Sequence, residues 1–176
     1  LVEGVRGIPA AIQRAIDRNP HVADLASTYY DNTSLFSMGR GLDYAVSLEG
    51  SLKLKEISYI HSEAYAAGEL KHGTIALIDQ GRPVVALACQ ESLFDKMMSA
   101  VQQVKARGAK VLAVAIEGNR KIFAESDDVL FVPAGDPLLA PAVEIVPLQL
   151  FAYHIAKVKG CDIDKPRNLA KSVTVE

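Results

Sequence analysis

The sequence predicts an α/β domain built on a parallel sheet with helices on both faces. Three observations carry that prediction. "PVVALAC" (83–89), "AKVLAVAI" (109–116) and "DDVLFVP" (127–133) are apolar runs of strand length, without the alternation of a half-exposed strand. Such runs mark strands buried on both faces. Between the first two lies "ESLFDKMMSAVQQVKARG" (91–108), an amphipathic helical stretch that stops at Gly108. Earlier, "TSLFSMGRG" (33–41) is a short apolar run closed by Gly39 and Gly41, leading into a helix from about Leu42 to Tyr59. Strands alternating with helices form a parallel sheet with two covered faces.

The remaining elements follow from local pattern. Ala10 to Asn19, after Pro9, has helical spacing at Ile12, Ala15 and Ile16 and reads as a lead-in helix. "SEAYAAGE" (62–69) reads as a short strand. "LLAPAVEIVPLQLFAYHIAKVKG" (138–160) is apolar almost all round, as in a buried or subunit-facing helix, and Pro147 predicts a kink in it. The ending "DIDKPRNLAKSVTVE" combines a turn at "DKPRN" with the extended-type "SVTV". This divides the chain into a helical lead-in at 1–30, a core domain at 31–160 and a C-terminal tail at 161–176.

Composition bounds the function. The chain has 176 residues, 49% apolar and 23% charged, enough for one domain with a sizeable core. A net charge of −2 without a basic block argues against nucleic acid or an anionic membrane as partner. No apolar run approaches the roughly 20 residues that span a bilayer. Cys89 and Cys161 form no CxxC pair, which fits reduced thiols in the cytoplasm. No His/Cys cluster has metal-ligand spacing. The first residue is Leu1, in mid-phrase, and the expectation is a piece of a longer protein.

Two stretches point to chemistry. Wound at about 100° per residue, "YAVSLEGSLKLKEISY" (44–59) gathers Ser47, Ser51, Lys55 and Ser58 on one sector, which reads as the solvent face. Glu49, Lys53 and Glu56 then fall between two apolar groups, where burial is expected. Lys53 is four residues from Glu49 and three from Glu56, so both carboxylates reach it. A buried structural ion triad and an amine–carboxylate pair lining a cleft both fit this spacing. The glycine-bounded loop "GELKHG" (68–73) presents His72. His61 and His154 read as structural, and His21 has no assigned role. The "GRGLDY" turn could offer backbone N–H groups to a phosphate, yet it matches neither nucleotide-binding glycine motif, and Asp43 sits where the anion would dock.

"LEGSLKLKEISYIHSEAYAAGELKHG" and "DKPRNLAKSVTVE" closely resemble the C-terminal sugar isomerase (SIS) domain of the glucosamine-6-phosphate synthase family, the isomerizing glutamine–fructose-6-phosphate aminotransferases. The likeness covers nearly the whole chain, and the tail is its most specific part. It implies a three-layer αβα sandwich around a five-stranded parallel sheet, flavodoxin-like in style. It also implies a reaction in which fructose 6-phosphate and glutamine give glucosamine 6-phosphate and glutamate, with no metal or organic cofactor. By this resemblance Lys171 binds the open-chain sugar as an imine, and Glu56 moves a proton between C1 and C2. Lys53 assists proton transfer at a sugar oxygen, and His72 opens the ring in the neighbouring subunit's site. Asn168, Leu169 and Ala170 lie over the sugar. The implied partners are a glutaminase domain and a first SIS domain of the same chain, and a second copy in a homodimer.

One departure matters. In this family the sugar phosphate is held mainly by Ser/Thr-rich loops of the first SIS domain, and "GRGLDY" does not match them. A deglycase or simple sugar-phosphate isomerase of the same fold, and a non-catalytic sugar-phosphate-binding module, are the alternative readings. "PRNLAKSVTVE" speaks against the first, and the visible lead-in shows no DNA-binding helix pair to support the second.

Overall fold

The computed structural model describes residues 1–169, so the expected "SVTV" extension, Ala170 and Lys171 lie outside the described residues. Five strands form one parallel sheet: β1 (Ser34–Gly39), β2 (His61–Ala66), β3 (Pro83–Ala88), β4 (Lys110–Ile116) and β5 (Asp128–Val132). Their order is β2-β1-β3-β4-β5. The chain leaves β1 in one direction through α3 (Leu42–Ser58) and later leaves β3 in the other through α4 (Phe94–Lys105). Because such crossovers are right-handed, the two helices land on opposite faces. The expected sandwich and its flavodoxin-like order are what the chain adopts.

Both faces are dry, as the unbroken apolar runs require. In β3, Val84 and Ala86 pack on the α4 side with Met97, Val101 and Val104. Val85 and Leu87 pack on the other side, with α2 (Val22–Tyr29), α3 and α5 (Pro141–Val158). β4 alternates in the same way, with Val111 and Ala113 on one face and Leu112 and Val114 on the other. α1 (Val2–Asp17) packs outside α5 through Ala15, Val143 and Val146. Among the described residues no helix is long and apolar enough to cross a membrane.

Two local expectations are corrected and one element is added. α1 does not start after Pro9. It starts at Val2 and runs through Pro9, whose missing N–H removes one bond without ending the helix. Helix α2 over Val22–Tyr29 is an element that the sequence pattern does not announce. It buries Val22, Ala26 and Tyr29, and the Tyr29 hydroxyl donates to Asp128 at 2.8 Å. The largest correction concerns α3. Its serine face is the buried one: Ser47, Ser51 and Ser58 are at most 2% exposed, whereas Leu48 and Leu52 are exposed.

The reason is satisfied hydrogen bonding and close packing. Ser47 Oγ donates to the Tyr44 carbonyl at 2.7 Å, Ser58 Oγ to the Leu54 carbonyl at 2.6 Å, and Ser51 Oγ to Ser62 Oγ on β2 at 2.8 Å. A hydroxyl that finds a partner costs little to bury. Gly50, on the same face, lets α5 come so close that a Cβ there would lie 2.4 Å from Leu148 Cδ1. Small side chains bring α3 down onto its neighbours and turn its charged residues outward.

Candidate active site

The charged triad therefore lies on an accessible helix face, not in a buried stripe. Lys53 Nζ is 2.7 Å from Glu56 Oε2 and 3.3 Å from Glu49 Oε1. The Lys53 and Glu56 side chains are 30% and 28% exposed, half-sunk but open to a ligand. The Glu56 hydrogen bond raises the Lys53 pKa above the ordinary lysine value. Partial burial opposes that, and Glu49 reinforces it. The ammonium is thus a fixed cation beside a carboxylate. That pairing can take a proton from carbon while stabilising charge on a neighbouring oxygen.

Glu56 lines an open cleft of about 500 Å³ with Leu52, Lys55, Tyr59, Ile60 and His61 from the end of α3 and the start of β2. Its third wall is the tail: Arg167, Asn168 and Leu169. The tail reaches this point by a definite path. α5 ends at Val158, capped by Lys159, and Gly160 follows with φ +68°. The Asp162 carboxylate accepts the N–H groups of Asp164 and Lys165 at 3.1 and 2.9 Å, a turn that re-aims the chain toward α3. The Arg167 N–H donates to the Tyr59 hydroxyl at 2.9 Å, and its guanidinium lies 4.1 Å from the Tyr59 ring centroid. Asn168 then turns the chain again at φ +60°.

The structure thus brings Glu56, Asn168 and Leu169 to one cleft, with Lys53 paired to Glu56. It does not bring His72 to them. His72 ends a 3₁₀ turn, Leu70–His72, after the carboxyl end of β2, where it is exposed. Glu56 lies before the amino end of the same strand. The strand's six residues separate the two by about 20 Å. His61, read as structural from sequence, stands on the cleft rim with Nε2 3.0 Å from Glu63. Tyr59 and Arg167 are site residues that sequence reasoning passes over. The one signal for them is their place, one closing the charged helix and the other inside "DKPRN".

The turn after β1 has a different use. Parallel sheets of this strand order take ligands where neighbouring connections diverge, here between the carboxyl ends of β1 and β3. In this chain Asp43 fills that position itself. Its carboxylate accepts the Cys89 N–H at 2.9 Å, the Gln90 N–H at 3.4 Å and the Gln90 side-chain amide at 3.1 Å. Gly39 is required because a Cβ would lie 2.5 Å from the Asp43 backbone.

A doubly wound α/β sandwich with a carboxylate cleft off the ordinary crevice, walled on one side by its own C-terminal segment, is the class that fold and geometry define. The chain belongs to the SIS domain family, which matches residues 28–159. It is 52% identical over its whole length to the glutamine–fructose-6-phosphate aminotransferase [isomerizing] of Caldanaerobacter subterraneus, and 51% identical to that of Thermus thermophilus. It spans 29% of the length of each of these relatives. Among solved structures, the C-terminal domain of glucosamine-fructose-6-phosphate aminotransferase from Francisella tularensis superimposes with a TM-score of 0.87 at 41% identity. That match covers 93% of this chain and 46% of the other.

Proposed function

We propose that this chain is the C-terminal isomerase domain of an enzyme making glucosamine 6-phosphate and glutamate from fructose 6-phosphate and glutamine. The observation that carries the reading is the shared cleft: Glu56, hydrogen-bonded to Lys53, faces the segment that leads into Lys171. The Lys171 amine adds to the C2 carbonyl of the open-chain sugar, water leaves, and an imine forms. Ammonia then adds at C2 and displaces the Lys171 amine, which leaves as free lysine. Glu56 takes a proton from C1 of the resulting imine and delivers it to C2, while the Lys53 cation favours charge on a neighbouring sugar oxygen. Asn168, Leu169 and Ala170 lie over the sugar and exclude water. The phosphate is held by a first SIS domain, and ammonia comes from a glutaminase domain, both in the same longer chain. The exposed Leu48 and Leu52 beside the triad suit cover by such a neighbour. His72 serves the cleft of a second subunit in a homodimer. The two unpaired cysteines fit a cytoplasmic enzyme.

Borohydride trapping tests this. The full-length enzyme incubated with fructose 6-phosphate and reduced should carry one sugar adduct per subunit, and peptide mapping should place it on Lys171. An adduct on another lysine, or none, would overturn the assignment.

A further inference from the structure

We infer that Tyr59 is a positioning residue, a clasp whose hydroxyl and ring face hold the Arg167 end of the tail against the cleft. The inference rests on the function proposed above and adds a residue to it. Three independent features converge on this side chain. Its backbone is left-handed at φ +59°, uncommon for any residue but glycine and unfavourable for a bulky one. That conformation ends α3 three residues past Glu56 and swings the ring out toward the tail. The hydroxyl then accepts the Arg167 N–H, and the ring face receives the Arg167 guanidinium. One side chain thus fixes both the backbone and the side chain of a tail residue 108 positions away in sequence.

The geometry suits positioning and not chemistry. The hydroxyl is engaged by a backbone donor, and among the described residues no hydrogen bond joins Tyr59 to Glu56 or Lys53. Two turns frame the clasp: the Asp162 turn delivers the chain to Tyr59, and the left-handed Asn168 redirects it shortly before Lys171. Among the described residues the Arg167 guanidinium has no carboxylate partner and lies over the Tyr59 ring. Without the clasp, the tail would search a larger volume and the Lys171 amine would meet the sugar carbonyl less often.

The test uses the full-length enzyme and measures the rate of borohydride-trapped adduct formation with fructose 6-phosphate, alongside amide hydrogen exchange of the tail peptide from residue 162 onward. Tyr59→Phe keeps a ring face but loses the acceptor, and should slow trapping about fivefold. Tyr59→Leu loses both contacts and should slow it about thirtyfold, with faster exchange in the tail peptide. Arg167→Ala keeps its backbone N–H, loses only the ring contact, and should slow trapping about fivefold. The double variant Tyr59→Leu/Arg167→Ala should be no slower than Tyr59→Leu alone, because the ring contact that Arg167→Ala removes is already lost in Tyr59→Leu. Melting temperatures separate this from a folding defect. A merely structural Tyr59 would lower the melting temperature and leave trapping per folded molecule, and tail exchange, at wild-type values. That result, or fully additive single effects, would overturn the clasp. Failure of wild type to trap the sugar would instead bring down the proposed function, and this inference with it.

Discussion

Glu56 and Glu144 are two carboxylates of this chain in opposite settings. Glu56 has a lysine ammonium at 2.7 Å and solvent beside it. Glu144, in the first turn of α5, is 2% exposed, and its Oε2 has no hydrogen-bond partner among the described residues. Burial pushes its pKa from 4.5 up to about 7, and the nearby Asp43 carboxylate adds to the shift. The same burial, with Glu144 and Asp43 close by, pushes the Cys89 thiol well up, so that sulfur is a poor nucleophile. Because the folded-state value of Glu144 lies above the unfolded one, the folded protein holds that proton between pH 4.5 and about 7. Stability from this group is therefore present at the acid end and lost as pH rises through that window. Between about pH 5 and pH 8 the loss is on the order of 2 kcal/mol. Glu144→Gln cannot ionise, so its melting midpoint should fall less than that of wild type over the same range. Equal falls in the two proteins would show that Glu144 is already charged at the acid end.

At the scale of the element, α3 shows what a sequence can and cannot disclose. The strands are legible because a parallel strand buried on both faces needs only apolar residues, and Val84–Leu87 and Val111–Val114 supply them without interruption. The orientation of α3 is not, because its buried face is made of serine and glycine. Polarity assigns Ser47, Ser51 and Ser58 to water. Only partners distant in sequence or along the helix, such as Ser62 Oγ, reveal that their hydroxyls are satisfied inside. The charged residues are still legible as a group, since the i, i+3 and i, i+4 spacing of Glu49, Lys53 and Glu56 holds whichever way the helix is turned. Their neighbours Leu48 and Leu52 are misplaced for the same reason as the serines. Helical glycines test this packing account. Ala is a better helix former than Gly by up to about 1 kcal/mol. Gly7 in α1 has nothing within 4 Å of the position an added methyl would take, so Gly7→Ala should raise the melting temperature. A methyl added at Gly50 would lie 2.4 Å from Leu148 Cδ1, so Gly50→Ala should lower it, with a net cost of about 1 kcal/mol as overpacking exceeds the helical gain. Stabilisation by both substitutions would show that α3 and α5 are not in close contact.

At the scale of the whole molecule, topology decides where chemistry can be assembled. In a parallel α/β sandwich a helix returns the chain from the carboxyl edge of the sheet to the amino edge. α3 therefore delivers Glu56 and Tyr59 to the amino edge, and α5 delivers the tail to the same edge. β2 then carries the chain back, so the loop with His72 opens at the carboxyl edge. A single copy cannot fold His72 onto its own Glu56 without breaking the sheet. If His72 opens the sugar ring, it does so for a second copy, and the sites of a homodimer are shared. That arrangement fixes how lesions combine. In the full-length enzyme, Glu56→Gln and His72→Ala should each lower activity about a hundredfold or more when present in both subunits. Mixed dimers with one subunit of each kind, isolated by two affinity tags, separate the alternatives. With shared sites, one site receives both lesions and the other receives neither, so activity per dimer should return to about half of wild type. With self-contained sites, each site keeps one lesion and the mixed dimer should stay as inactive as its parents. The converse pairing, a doubly substituted subunit with a wild-type one, should be inactive if sites are shared and half-active if they are not. Half activity in that second dimer would place His72 and Glu56 in one subunit's site and refute the topological argument.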